Sequence, residues 1–205
     1  MNRVKTTLFA AISIALTFTF SCSGDDGGSS SVAYGSLRDS RDGKTYKTIR
    51  IGSQTWMAEN LNFEASGSAC CDNISSNCDT YGRLYNWATA LTVCPPGWHL
   101  PSDAEWDVLT NHVGSNAGTK LKASSGWNVG NGTDDFGFSA LPGGYGISSG
   151  FFYNVGYYGD WWSATEVDAS YAWFRYMYGN RSGVDRYFND KENLFSVRCV
   201  KANLP

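Results

Sequence analysis

Between Cys94 and Leu109 the chain reads Cys-Pro-Pro-Gly-Trp-His-Leu-Pro-Ser-Asp-Ala-Glu-Trp-Asp-Val-Leu, and this stretch narrows the possible folds more than any other. Ser102 is a good N-cap, because its hydroxyl accepts a bond from a free backbone N–H of the first helical turn. Glu105, three residues on, reaches back to complete a capping box. Trp106, Leu109 and Val113 follow at i, i+3 and i+7, an apolar stripe on one helical face. Pro101 keeps the helix from starting earlier, and Gly114 marks where it ends. The natural partner of this unit is Asn193-Leu-Phe-Ser-Val-Arg-Cys-Val-Lys201, which reads as a final strand carrying Cys199. We expect a Cys94–Cys199 disulfide to close the domain around the two pieces. A loop of this length constrains the unfolded chain by about 4–5 kcal/mol in the entropy model.

The N-terminus is an address rather than a part of the fold. Arg3 and Lys5 precede a short, largely apolar run from Thr6 to Phe20, too short to span a membrane comfortably. Thr19-Phe-Ser-Cys22 resembles a bacterial lipobox, so residues 1–21 are expected to be a lipoprotein signal peptide and Cys22 the lipid attachment site. Residues 22–34 then form a flexible polar tether. Its acidic pair Asp25-Asp26 resembles the surface-export signals of some Bacteroidetes-type lipoproteins. The expected location is the outer membrane or cell surface, on the extracytoplasmic side.

Residues 35–205 are left as a single domain, with no second linker, repeat or coiled-coil pattern. The net charge of −3 and the lack of a basic stripe argue against nucleic acid as a partner. Twenty-three glycines and 15% aromatics suit a loop-rich α+β domain of antiparallel strands. The five cysteines beyond Cys22 fit an oxidising compartment better than a metal site, because no paired C-x-x-C motifs occur. Cys78 is expected to pair with Cys70 or Cys71, and we favour Cys70. One thiol is then left over.

Along the domain, Asp42-Gly43 and Gly52-Ser53 are turns around a strand from Lys44 to Ile51 in which Tyr46 is out of phase, and Gln54 to Met57 completes a hairpin. The charged turn around Asp39, Arg41 and Asp42 reads as solvated. Residues 64–80 read as a stapled surface loop. Tyr81 to Leu91 has Leu84, Trp87 and Leu91 at helical spacing, a short helix; with the one at Ser102 it makes two. Residues 114–160 are a long Gly- and aromatic-rich region in which Phe136 to Tyr145 looks like a strand entering a turn. Trp161 to Thr165, Tyr171 to Tyr178, Val184 to Phe188 and Leu194 to Val200 read as strands. Trp56, Trp87, Trp98, Trp106 and Trp173 are expected in the core.

No catalytic constellation stands out, and no enzyme activity is expected: His99 sits in a turn, with no Ser-His-Asp order, Cys-His pair or HExxH motif. Neither metal nor cofactor is expected, since the loop acids Asp134-Asp135, Glu166 and Asp168, and the Phe188-Asn-Asp190 run, lack the clustering that a calcium site needs. The suggestive feature is the aromatic run 151–162. Sugar rings present C–H faces that stack on Trp and Tyr, so Tyr153, Tyr157, Tyr158, Trp161 and Trp162 are the candidate ligand-binding residues, against the reading that they simply pack.

Four segments resemble the Fibrobacter succinogenes major paralogous domain family, found in predicted surface lipoproteins. They are Asp42 to Asn62 (Asp-Gly-Lys-Thr-Tyr-Lys-Thr-Ile-Arg-Ile-Gly-Ser-Gln-Thr-Trp-Met-Ala-Glu-Asn-Leu-Asn), Tyr81-Gly-Arg-Leu-Tyr-Asn-Trp87, Cys94 to Ser102 and Phe195-Ser-Val-Arg-Cys-Val200. The resemblance implies an exported, disulfide-bearing domain with no established activity. His99 to Trp106 and Ser196 to Cys199 are also similar to segments of sulfatase-modifying-factor domains, which implies an elaborated C-type lectin-like fold. The reactive cysteine pair of those enzymes has no counterpart near Cys199. The expected function is an exported, lipid-anchored surface binding module with glycan as ligand class. The alternative is a protein-interaction or architectural module of the cell envelope, meeting a surface protein. The oligomeric state is left open.

Overall fold

A computed structural model describes Met1 and residues 32–201. The expected leader over 1–21, Cys22 and most of the 22–34 tether lie outside the described residues. The domain opens with β1 (Gly35–Arg38), β2 (Thr45–Ile51) and β3 (Gln54–Met57), then β4 (Ser68–Ala69), α1 (Ser75–Tyr81), β5 (Leu84–Tyr85) and α2 (Trp87–Ala90). Next come β6 (Trp98–His99), α3 (Asp103–Val113) and α4 (Ala117–Leu121). The second half holds β7 (Tyr145–Gly146), β8 (Phe152–Tyr153), β9 (Tyr158–Glu166), β10 (Tyr171–Tyr178) and β11 (Asp185–Asp190). It closes with β12 (Phe195–Ser196) and β13 (Val200–Lys201). The result is an α+β domain built mostly on antiparallel pairs. One sheet has the order β1-β2-β3-β13-β6, a second the order β11-β10-β9-β12-β5-β4, and β7 and β8 form a small ribbon.

Two apolar cores result from the period of two along the strands. Ile49 and Ile51 of β2 join Trp56, Trp106, Phe138 and Trp161 in one cluster. Tyr46, out of phase with them, points to the other face and joins Met57, Trp162 and Phe195 in a second. The final segment connects the two sheets. Its β12 end pairs with β5 and β9, its β13 end with β3 and β6, and between them the carbonyls of Val197 and Cys199 accept from the amides of Leu61 and Met57 at 2.8 and 3.0 Å. The expected single strand from Leu194 to Val200 is therefore two short ones, because the segment changes partner midway. Cys199 is bonded to Cys94, and Cys70 to Cys78. The leftover thiol is Cys71, buried, with burial pushing it up to about 11, so it is protonated and inert at neutral pH.

The capping box forms at α3: the Glu105 amide donates to Ser102 Oγ at 3.2 Å, and the Ser102 amide to Glu105 Oε2 at 2.8 Å. Such a cap contributes about 1 kcal/mol. His99 Nε2 meets the other Glu105 oxygen at 2.7 Å, which ties β6 to the helix start. Burial acts to raise the Glu105 pKa, but hydrogen bonds from Ser102 and His99 outweigh it and hold the carboxyl below its ordinary range. Trp106, Leu109 and Val113 all face the first core.

Several expectations are corrected. Tyr81 to Leu91 is not one helix: Gly82, at φ 77°, terminates α1, residues 84–85 pair in the sheet, and Asn86 caps the single turn of α2 through the Thr89 amide. The stapled loop carries α1, and α4 follows α3, so the described residues hold four helices rather than two. From Phe136 to Gly144 the chain makes isolated bridges rather than a strand, yet Phe138 and Ala140 are fully buried. Trp87, Trp98 and Trp173 are half-buried rather than core. Of the charged turn, Arg41 and Asp42 are exposed as expected, but Asp39 is not. Asp39 is buried and accepts from the Arg41 guanidinium, whose hydrogen bond holds its pKa down.

Candidate functional site

β9 lies at the centre of the second sheet with a core on each side. Alternation places Tyr158, Asp160 and Trp162 on one face and Trp161 and Ser163 on the other. β10 pairs so that Tyr178, Tyr176 and Phe174 stand opposite Tyr158, Asp160 and Trp162. β11 sets Tyr187 opposite Phe174 and Asn189 opposite Ala172. Of these, Tyr158, Asp160, Phe174, Tyr176, Tyr178, Tyr187 and Asn189 share one face of the sheet and, with Tyr145 of β7, Asn154, Arg181 and Phe195, line a cleft of about 360 Å³. That volume is at the lower end of the range of small-molecule sites.

The walls of the cleft are aromatic. Tyr158 stacks on Tyr178 with centroids 4.5 Å apart and an interplanar angle of 18°, and Phe174 packs against Tyr176 and Phe195 at 5.8 and 4.6 Å. Aromatic pairs of this kind each contribute about 0.5–1.5 kcal/mol beyond buried area. Among the described residues, the hydroxyls of Tyr145, Tyr158, Tyr176, Tyr178 and Tyr187 are without a protein hydrogen-bond partner, although all five residues line the cleft. Burial lifts the Tyr145 and Tyr176 phenols above their ordinary range, so both remain donors at neutral pH.

Asp160 is the one carboxylate in this lining and is 4% exposed. Its Oδ2 is buried with no hydrogen-bond partner among the described residues. Burial raises its pKa well above the usual carboxylate range. The opposite face of the same strand pair treats charge differently. There Arg175 donates to Asp103 at 2.6 and 3.0 Å and to Asp107 at 2.8 Å, which ties the sheet to α3.

Lys122 supports one end of the cleft. Its Nζ donates to the carbonyl oxygens of Gly130, Tyr178, Gly179 and Arg181 at 2.9, 3.2, 2.6 and 3.1 Å, so a buried ammonium holds the turn that carries Tyr178 and Arg181. The loops approach closely here: a Cβ on Gly130 would lie 2.0 Å from the Gly179 oxygen. Burial lowers the Lys122 pKa.

Of the five sequence candidates, only Tyr158 lines the cleft. Tyr153 is exposed and packs beside Tyr145 at 5.6 Å, and Tyr157 is exposed outside the lining. Trp161 and Trp162 are corrected to core residues, both 0% exposed. Adjacent residues on a strand face opposite ways, and β9 is covered on both sides, so each indole enters one core. Trp161 Nε1 donates to Asn60 Oδ1 and Trp162 Nε1 to the Tyr85 carbonyl, both at 2.8 Å. The loop acids have local duties: Asp134 accepts from the Ser139 amide and hydroxyl, Glu166 pairs with Lys191, and Asp168 accepts from the amides of Ser170 and Tyr171. Among the described residues no group of three or more His, Cys, Asp or Glu is placed to hold a metal ion.

The family model for the Fibrobacter succinogenes major domain matches residues 49–201. The chain belongs to this family. The match starts within β2 and runs through the end of β13, so it takes in every residue of the cleft. Comparisons with curated proteins and with solved structures each return no match. The segments that carry the family resemblance are largely structural. Asn60 Oδ1 accepts from Trp161 and from Arg198 Nε and Nη2 at 3.1 and 2.8 Å, while its Nδ2 donates to the Tyr81 carbonyl at 2.8 Å. One side chain thus joins three of the four segments and β9. No helix among the described residues is long and apolar enough to cross a membrane.

The residues missed in the sequence were Tyr145, Tyr176, Tyr178, Tyr187 and Asp160. Period-two alternation in Tyr171 to Tyr178 already sets Phe174, Tyr176 and Tyr178 on one face. An aspartate between Gly159 and Trp161, inside an aromatic strand, was the signal of a buried acid.

Proposed function

We propose that this domain is a carbohydrate-binding module, displayed on the outside of the cell by a lipid on Cys22, and that it performs no catalysis. The observation that carries the reading is the cleft: a concave wall of tyrosine rings whose hydroxyls have no protein partner. Ring faces suit the C–H faces of a sugar, and free phenols with the Asn154 and Asn189 amides suit its hydroxyls. The ligand-binding residues in this reading are Tyr145, Tyr158, Tyr176, Tyr178 and Tyr187 rather than the two tryptophans. We also read the topology as an elaborated C-type lectin-like fold. Support comes from the last strand lying between β3 and β6, and from its disulfide to the segment that leads into the first-core helix.

The test is a glycan array probed with the full chain purified in detergent, beside a Tyr176→Ala, Tyr178→Ala double variant. Retention of a glycan by the wild type, lost in a variant that keeps its circular dichroism, is the expected result. A folded wild type that retains nothing across plant and host polysaccharides overturns the reading. One observation favours the protein-interaction alternative: β11 is an edge strand with Tyr187 57% and Phe188 37% exposed. That reading predicts crosslinking of β11 to a surface protein on intact cells.

A further inference from the structure

Asp160 sits in the cleft in a way that neither packing nor the binding of neutral hydroxyls accounts for. A buried acid with a structural duty has partners, as Asp103 does with Arg175 and Arg186 on the far side of the same strands. Asp160 has an oxygen with none, and it lines a cavity walled by tyrosine and phenylalanine rings. Ring faces attract cations through their quadrupole, and a desolvated carboxylate adds Coulomb attraction in a low dielectric. The cationic residue in the lining, Arg181, has a side chain 63% exposed that lies 3.6 Å from Asp185 and makes no hydrogen bond to Asp160. What the lining lacks is a positive group for Asp160.

We propose that the cleft recognises a glycan carrying an unacylated amino group, with the ammonium seated between Asp160 and the rings of Tyr158 and Tyr176. This rests on the carbohydrate reading above and narrows its ligand class. The free phenols and amides at the rim bind the ring hydroxyls, which is why an amino sugar fits better than a bare lysine side chain. The titratable groups that line the cleft with Asp160 are Tyr145 from β7, Tyr158 from β9, Tyr176 and Tyr178 from β10, Arg181 from the following turn and Tyr187 from β11, and Asp185 of β11 acts on Tyr176 from outside the lining. Burial raises the Tyr145 and Tyr176 phenols, and Arg181 lies 3.6 Å from Asp185 with both side chains partly open to solvent. Asp160 is then the group whose ionisation favours an ammonium. On binding, its proton is released to solvent and the carboxylate pairs with the ammonium.

The experiment measures binding of the full chain in detergent to glucosamine tetramer, N-acetylglucosamine tetramer, cellotetraose and a lysine tripeptide, at about pH 4 and pH 6, where the sugar amines stay largely protonated. The expected result is glucosamine tetramer bound about tenfold more tightly than either neutral tetramer. The preference should widen from the lower pH to the higher as Asp160 ionises. Asp160→Asn, nearly isosteric, should lose the preference for glucosamine tetramer over the neutral tetramers. Equal affinity for all three tetramers overturns the amino-group inference and leaves the carbohydrate reading standing. Lysine tripeptide binding as well as glucosamine tetramer overturns the glycan part. No binding of any tetramer overturns the inference, and the array then decides whether the carbohydrate reading falls with it. The pH arm needs no variant, so the inference is testable even if Asp160→Asn fails to fold.

Discussion

The Arg198 site and the Asp160 cleft both bury an ionisable group, and they do so in opposite ways. Arg198 is 1% exposed, with burial pushing its pKa down to about 9. Its guanidinium donates to Asn60 Oδ1 and to the carbonyls of Phe138 and Ser139, and it lies over the Phe138 ring at 4.3 Å. Every polar group brought there is used. Asp160, on β9, is almost as deeply buried and has an oxygen with no partner among the described residues. A buried charge is tolerated when hydrogen bonds replace its lost water. Arg198 meets that condition within the chain, so it is structural. Among the described residues Asp160 leaves it unmet, and burial raises its pKa instead; under the amino-group inference the missing partner belongs to a ligand.

The largest way to break this contrast is Arg198→Leu. The change strands the Phe138 and Ser139 carbonyls and leaves Asn60 with Trp161 alone on its acceptor side. We expect a loss of about 3–5 kcal/mol in urea unfolding. A loss below about 1 kcal/mol would remove the distinction between the two sites. Next in size is Lys122→Met, which removes the ammonium shared by four carbonyls, of which the Tyr178 oxygen keeps the Arg181 amide. A loss of about 1–3 kcal/mol is expected, together with weaker glycan binding, because the turn bearing Tyr178 and Arg181 loosens. Unchanged binding in that variant would show that Lys122 does not position the cleft.

How much of this was visible in the residues follows from what each signal reports. The capping box at Ser102 is local, since three residues and one helix start determine it, and it formed as read. The first hairpin is local too, with Gly43 and Gly52 at positive φ and Tyr46 facing its own core. Trp161 and Trp162 were misread because an aromatic run bounded by glycines says nothing about how many layers cover it. That depends on α3 packing on one face and Phe195 on the other, and both are long-range. The cleft was hidden for the same reason. Its residues come from five strands and two loops, and only the register of β9, β10 and β11 brings them to one face.

Asp160→Asn carries the opposite sign from the two cation variants. Burial raises the pKa of Asp160 in the folded chain above its unfolded value, near about 3.8. Protonated Asp160 therefore favours the folded state at low pH, and that contribution fades as pH climbs toward the folded pKa. Asparagine does not titrate, so the variant should gain on the wild type as pH rises from about 4 to 7, reaching about 1 kcal/mol in the absence of ligand. Thermal melts at three pH values check this. A shift of the same size at every pH would mean that Asp160 titrates normally and is not the unsatisfied group that sets the cleft apart.

The smallest effect is the sharpest test of where the site ends. Tyr157 belongs to the aromatic run that drew attention in the sequence, yet it is 42% exposed and stands outside the cleft lining. Its neighbour Tyr158 stacks on Tyr178 within it. Tyr157→Ala should change stability by less than about 0.5 kcal/mol and leave glycan affinity as it was. Tyr158→Ala removes a stacked pair and a free phenol, and should weaken binding about tenfold at a stability loss of about 1 kcal/mol. Two adjacent tyrosines thus separate the readings, because a site built on the loop would lose affinity at Tyr157, whereas a site built on the sheet face loses it only at Tyr158.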